Sequence, residues 1–132
     1  MRYIDQENTI LDSQTNLIWD KSYKTNLTFD EALAYADQVN KDSYLGYNDW
    51  RVPTVSELIS LVDYTKYDPA SKFPNMPSSD FWSSAPYAHY SDAAWFVYFD
   101  DGYADNGYRS SGLAVRLVRN GKTKCTDGLY NA

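Results

Sequence analysis

Residues 94–99 read Ala94-Trp95-Phe96-Val97-Tyr98-Phe99 and run into Asp100-Asp101-Gly102. A segment this rich in aromatic and β-branched side chains is a strand, because such side chains fill a pleated, half-buried surface. Side chains alternate across a sheet, so Trp95, Val97 and Phe99 belong on one face and Phe96, Tyr98 and Asp100 on the other. The first set is expected to point into the core. The second then forms an outward row with two aromatic rings.

On the C-terminal side, residues 101–112 place Tyr103 and Tyr108 among Gly, Ser, Asp and Asn, and Leu113–Arg119 reads as a further strand. This mixture matches the chemistry of antibody binding loops, where Tyr supplies rigid contact area and small polar residues supply adaptable hydrogen bonds. On the N-terminal side, Phe81–Ser84 reads as a strand, and the loop Ala85-Pro86-Tyr87-Ala88-His89-Tyr90-Ser91 has the same character as residues 101–112. No lysine occurs between Lys72 and Lys122, and lysine is depleted from binding patches. Tyr87, His89, Tyr90, Phe96, Tyr98, Tyr103 and Tyr108 are therefore expected to converge on one exposed face. Asp100, Asp101, Asp105, Asn106, Ser110 and Ser111 would orient a ligand by hydrogen bonds. The alternative is that these rings cover the core.

Further upstream, Thr54-Val55-Ser56-Glu57 and Thr28-Phe29-Asp30-Glu31 both carry the Thr-x-x-Glu pattern of a capping box. Apolar stripes follow each: Val55, Leu58, Ile59 and Val62 in one, and Phe29, Ala32, Leu33, Ala36 and Val39 in the other, which is predicted to end near Asn40. Between the second helix and the late strands, residues 65–80 hold Pro69, Pro74 and Pro77 and read as an ordered, irregular loop. Arg2–Asp5, Thr9–Asp12 and Asn16–Asp20 read as short strands, the last two joined by a turn at Ser13-Gln14-Thr15. Two helices packed on short antiparallel strands, with long irregular loops, make a single α+β domain over residues 1–132.

Composition narrows the function. The net charge of -6 argues against nucleic acid and heparin-like polyanions, whose affinity depends on clustered Lys and Arg. No apolar run approaches the roughly 18 residues a membrane helix needs, so no membrane insertion is expected. Residues 1–7 lack the apolar core and small-residue cleavage site of a secretory signal. Export would use another route, or the chain is a fragment or a virion component. The lone Cys125 excludes an internal disulfide and a cysteine-based zinc site, and reads as an incidental thiol.

Catalytic patterns are missing. His89 is the only histidine and no Gly-x-Ser-x-Gly elbow exists, so a Ser-His-Asp arrangement is not expected. Asp100, Asp101 and Asp105 read as a hydrated turn in which nothing raises a pKa, and their order does not fit a calcium loop. No catalytic residue, metal ligand or cofactor is assigned. Arg51 and Arg116 are expected to pair structurally with carboxylates such as Glu57 or Asp49. Tyr3, Tyr23, Tyr35, Tyr44, Tyr47 and Tyr64 are assigned to structure, and Trp19, Trp50, Trp82 and Trp95 to the core.

Asp12, Thr15, Asn16-Leu17-Ile18-Trp19, Phe29-Asp30-Glu31-Ala32-Leu33-Ala34-Tyr35, Gly46-Tyr47-Asn48-Asp49-Trp50-Arg51-Val52-Pro53-Thr54, Glu57-Leu58, Phe81-Trp82-Ser83-Ser84, Ala94-Trp95, Asp101-Gly102 and Val115-Arg116-Leu117-Val118-Arg119 occur in that order. Together they resemble a bacterial and phage family named after the C-terminal domain of a Legionella collagen-like adhesin. The resemblance implies a C-type-lectin-like fold and a surface-exposed, adhesin-like, non-enzymatic role toward an external protein or glycan, outside the cell or on a virion. Ala36 and Leu117 stand where relatives often carry cysteines. The Glu-Pro-Asn and Trp-Asn-Asp calcium-and-sugar signature of true lectins is missing.

Some relatives resemble the variable proteins of diversity-generating retroelements. On that likeness the changeable sites are Phe96, Tyr98, Asp100, Asp101, Tyr103, Asp105, Asn106, Gly107, Tyr108, Ser110, Ser111 and Gly112. A homo-oligomer is compatible with such modules, and an assembly domain with the aromatic face as its subunit interface is the second expectation.

Overall fold

The computed structural model describes residues 1–121; Cys125 lies outside the described residues. The chain runs β1 (Tyr3–Asp5), β2 (Thr9–Asp12), β3 (Leu17–Asp20), β4 (Lys24–Leu27), α1 (Phe29–Lys41), a 3-10 turn (Tyr44–Gly46), α2 (Val55–Ile59), β5 (Asp80–Pro86), β6 (Ala93–Tyr98), β7 (Ala104–Tyr108), β8 (Leu113–Val115) and β9 (Val118–Asn120). It is α+β, as the pattern of elements predicts.

Both helices begin where the capping boxes place them. Glu31 N–H donates to Thr28 Oγ1 at 3.2 Å and Thr28 N–H donates to Glu31 Oε1 at 2.9 Å. Thr54 and Glu57 repeat the arrangement at 2.9 and 3.1 Å. These reciprocal bonds satisfy donors that a helix start otherwise leaves free. The second helix is short because the chain turns at Ser60, whose Oγ donates to Glu57 O at 2.6 Å. Leu61, just beyond that turn, then joins Leu58 in the core, while Ile59 and Val62 pack only partly against it. In α1, Leu33 stays at the surface, so the buried stripe is narrower than the sequence pattern suggests.

Two sheets result. One has the order β1-β2-β3-β9 and the other β4-β8-β5-β6-β7. Every named pairing is antiparallel except β5 with β8. The expected strand Leu113–Arg119 is thereby divided, with β8 in the larger sheet and β9 in the smaller. Arg116 and Leu117 make the crossing. Two strands beyond those expected, β4 and β7, formed at Lys24–Leu27 and within the polar stretch 101–112.

Where Phe81 and Trp82 of β5 pair with Val97 and Phe96 of β6, the larger sheet is buried on both faces, which corrects the expectation of one inward and one outward face on β6. Phe81, Val97 and Phe99 pack with Ile10, Trp19 and Leu58 in one cluster. Trp82, Ala94 and Phe96 pack with Phe29, Ala32 and Trp50 in a second cluster, under α1. Neighbours in sequence thus serve opposite cores, as strand alternation requires. Ala36 and Leu117 both lie in the α1 cluster.

Arg51 pairs with Glu57 through two bonds of 2.6 and 2.7 Å, as expected. Among the described residues, Arg116 does not pair with a carboxylate. It is 1% exposed, with its guanidinium carbon 4.8 Å from the Phe73 ring centroid and 5.1 Å from that of Tyr23. Its Nη1 donates to the carbonyls of Asp20 and Lys21 at 2.9 and 2.7 Å. Burial pulls its pKa down to about 10 against the raising field of Asp20. Asp49 binds Arg119 instead, at 2.7 and 3.2 Å.

Candidate functional site

The β5, β6 and β7 strands and the segments that join them carry the aromatic residues singled out above, and the strand register decides which ones meet. Directly paired residues of an antiparallel ladder share a face. Ala93 pairs with Tyr108, Trp95 with Asn106 and Val97 with Ala104; between them, Ala94 pairs with Gly107 and Phe96 with Asp105. Tyr108 and Asn106 therefore lie on the side of Ala93 and Trp95. Asp105 lies on the side of Phe96 and Tyr98. The seven predicted aromatic side chains do not converge on one face.

Phe96 is the clearest correction. It is 9% exposed, held edge-on to Trp82 at 6.1 Å and to Tyr98 at 5.2 Å. The α1 layer covers that side of the sheet, so an outward Phe96 would have required the layer to be missing. Tyr98 is half-buried beside it, and its Oη donates to Asp105 Oδ2 at 3.2 Å. That hydrogen bond raises the Tyr98 pKa.

On the opposite side, the β5–β6 loop folds over the end of the sheet. Tyr87 N–H donates to Ala93 O at 2.9 Å and Ala93 N–H donates to Tyr90 O at 3.2 Å. These bonds set the rings of residues 87–90 in a row. Tyr87 lies 5.2 Å from Trp95, 6.2 Å from His89 and 5.9 Å from Tyr90, and His89 lies 4.7 Å from Tyr90. Tyr90 is 58% exposed and Tyr108 68% exposed. A groove of about 550 Å³ runs between them, lined by Tyr90, Asp92, Ala93, Asn106, Gly107 and Tyr108.

Trp95 belongs to this patch rather than to the core, unlike Trp19, Trp50 and Trp82, which are buried. Its pairing with the polar Asn106 is a legible sign that its part of the face is wet, but only once β7 is recognised as a strand. Asp92, exposed at the rim of the groove, was not singled out by the sequence at all. Neither was Tyr67, which is exposed away from this groove.

Tyr103 sits at the other end of the β6–β7 pair, 61% exposed. The turn there depends on Gly102, which has φ +89°, and a Cβ at that position would lie 2.5 Å from Val62 Cγ1. The segment after α2 braces the turn: Asp68 N–H donates to Asp100 O at 2.8 Å, Ala70 N–H to Phe99 O at 2.7 Å, and Tyr64 Oη to Gly102 O at 3.2 Å. Tyr64, assigned to structure, is exposed but serves this turn through that hydrogen bond.

Asp101 accepts from Tyr103 N–H at 3.3 Å, and Asp105 accepts from Asn106 N–H at 2.8 Å. Asp80 is half-buried nearby; burial first, then the charges of Asp100 and Asp101, push its pKa up. Among the described residues, no group of three or more His, Cys, Asp or Glu is placed to hold a metal ion. Ser110 and Ser111 follow β7 where Phe29 N–H donates to Arg109 O at 2.9 Å, so they border the start of α1.

A cavity of about 620 Å³ lies beside β1, lined in part by Arg2, Tyr3, Asp63 and Lys72. Its charges are engaged with protein partners, Arg2 with Asp12 and Lys72 with Asp63. Among the described residues, the groove beside Tyr90 and Tyr108 has no such internal pairing.

A family model described as the Lcl C-terminal domain matches residues 8–119. The chain matches no curated protein.

Proposed function

We propose an adhesin-like recognition role for this chain, which belongs to the Lcl C-terminal domain family. The contact surface is the ring row Tyr87, His89, Tyr90 and Trp95 together with Tyr108 across the groove. The observation that carries this reading is the continuity of those rings at spacings of 4.7–6.2 Å beside a groove whose walls remain in solvent. Tyr and Trp offer large, stiff contact area at low entropic cost, and dominate the energetics of recognition surfaces. Nothing in the fold of this hairpin requires Tyr90 and Tyr108 to be aromatic, since neither belongs to a core cluster.

The ligand in this reading is an external protein or glycan, the role is non-enzymatic, and the setting is extracellular, at a cell surface or on a virion. The C-type-lectin-like description of the scaffold rests on the same resemblance. Retroelement-driven exchange fits Tyr103, Asp105, Tyr108 and Ser110, whose side chains meet solvent. It does not fit Phe96, or Gly107 and Gly112, where an added Cβ meets Phe96 and the Asn26 side chain respectively. The competing reading is an assembly domain that uses the aromatic face between subunits.

Surface plasmon resonance against immobilised extracellular-matrix proteins and glycans, paired with light scattering, separates the two. Recognition predicts that the Tyr90→Ala/Tyr108→Ala double variant loses at least about tenfold in affinity with its oligomeric state unchanged. A variant that changes oligomeric state while binding the panel like the parent establishes assembly instead.

A further inference from the structure

We propose that the groove between Tyr90 and Tyr108 is a receptor for a guanidinium group, offered as an arginine side chain by a protein partner. This rests on the recognition reading above and narrows its ligand to one chemistry.

The groove combines π faces with an uncompensated negative charge. Ala93 provides a small floor opposite Tyr108, and Asp92 stands exposed at the rim. Among the described residues, no cation pairs with the Asp92 carboxylate. The neighbouring Arg109 is drawn away toward α1: its Nη2 donates to Asp30 at 2.6 Å, its Nη1 to Ser91 O at 3.3 Å, and its guanidinium lies 4.9 Å from the Phe29 centroid. The other two cations between Lys72 and Lys122 are also committed, Arg116 inside the core and Arg119 to Asp49. The face is therefore a net acceptor of positive charge, in a chain of net charge -6.

The molecule already contains the complex that this groove lacks. At Tyr47-Asn48-Asp49, the Arg119 guanidinium lies 3.6 Å from the Tyr47 ring centroid while Asp49 takes its Nε and Nη2 at 2.7 and 3.2 Å. Tyr90-Ser91-Asp92 repeats the ring and the carboxylate at the same spacing, both exposed, with no arginine supplied from within. Spacing alone does not make the site, since Tyr3-Ile4-Asp5 has it too and its carboxylate is consumed by Lys21. Tyr35-Ala36-Asp37, Tyr98-Phe99-Asp100 and Tyr103-Ala104-Asp105 share it as well, with no cation on their carboxylates among the described residues; what distinguishes this one is the second wall, Tyr108, across the groove. Arginine fits better than lysine because its flat, weakly hydrated cation stacks on a ring while bonding a carboxylate in plane.

The probe is the peptide acetyl-Gly-Arg-Gly-amide, titrated into the isotopically labelled chain and followed by amide chemical shifts, beside the neutral, isosteric citrulline peptide. Arginine is expected to move the amides of Tyr90, Asp92, Asn106, Gly107 and Tyr108, saturating in the low millimolar range, with citrulline at least about fivefold weaker. Asp92→Asn should abolish that difference, and Tyr108→Ala should weaken both, with unchanged spectral dispersion showing that each variant is folded. Equal binding of the two peptides, or no shift up to about 50 mM, overturns the assignment. So does saturation of these amides by a neutral methyl hexoside without an arginine response, an outcome that keeps the recognition reading. That reading fails separately, if the Tyr90→Ala/Tyr108→Ala variant binds the immobilised panel like the parent.

Discussion

Phe96 and Gly107 are diagonal neighbours across the β6–β7 pair, and a Cβ added at Gly107 would lie 2.8 Å from Phe96 Cε2. The ring has no room to retreat, because Trp82 and Tyr98 hold it edge-on from two other directions. Gly107→Ala is therefore expected to destabilise the domain by about 1–3 kcal/mol through overpacking. Phe96→Leu in the same chain should recover part of the loss. Urea denaturation of the single and double variants measures the coupling, and additive effects would show that the two positions do not press on each other.

Phe96 and Tyr108 should behave oppositely although both are aromatic residues of one hairpin. Phe96→Ala removes a ring from a closed cluster and should cost about 3–5 kcal/mol. Tyr108→Ala alters a side chain that is 68% exposed and should stay within about 0.5 kcal/mol of the parent. Thermal melts of the two variants check this, and similar losses from both would contradict the two-face assignment.

Trp95 gives an optical handle, since it is the half-exposed member of the four tryptophans. Acrylamide should quench part of the fluorescence of the folded chain, and Trp95→Phe should remove that accessible fraction while leaving a blue-shifted emission from Trp19, Trp50 and Trp82. An undiminished accessible fraction in the variant would place Trp95 in the interior.

Acid should weaken the fold through specific carboxylates. Burial works against the charge of Asp12 and Glu57, but Arg2 holds Asp12 and Arg51 holds Glu57 strongly enough that both pKa values end below their ordinary ones. A depressed folded pKa gives stability that is fully present above the unfolded carboxylate value of about 4 and is lost as pH falls through the folded one. Asp20 has the reverse sign: burial, partly offset by Ser22 and Tyr44, raises its pKa, so its contribution improves as pH falls through the folded value. Asp12→Asn should flatten the acid limb of stability against pH, and Asp20→Asn should steepen it. Urea midpoints across that range decide both.

Local grammar was legible where the chain states it locally. The two Thr-x-x-Glu boxes located both helix starts because the bonds that make them span only three residues. Strand identity also survived at β2, β3, β5 and β6, where apolar side chains dominate. The sequence concealed β4 and β7 because Lys24–Leu27 and Ala104–Tyr108 are polar edge strands, formed by pairing with β8 and β6 rather than by their own composition. Phe96 was misplaced for a related reason. Alternation correctly separated it from Val97, but no local pattern tells whether a second layer covers the other face, and here α1 does. Once Phe96 turned inward, the exposed aromatic surface moved to Tyr90, Trp95 and Tyr108.

The pairing of β3 with β9 joins Leu17 to Asn120, two residues separated by nearly the whole described chain. A polypeptide emerging from the ribosome can make the β1–β2–β3 ribbon early, yet that ribbon keeps one edge unsatisfied until residue 120 is available. Completion of the small sheet thus waits for residues 118–120 to be synthesised, and its entropic cost is that of a very large loop. A chain cut short before Val118 would leave Leu17–Trp19 as an open template for another strand, making premature termination a route to aggregation rather than to a smaller working domain.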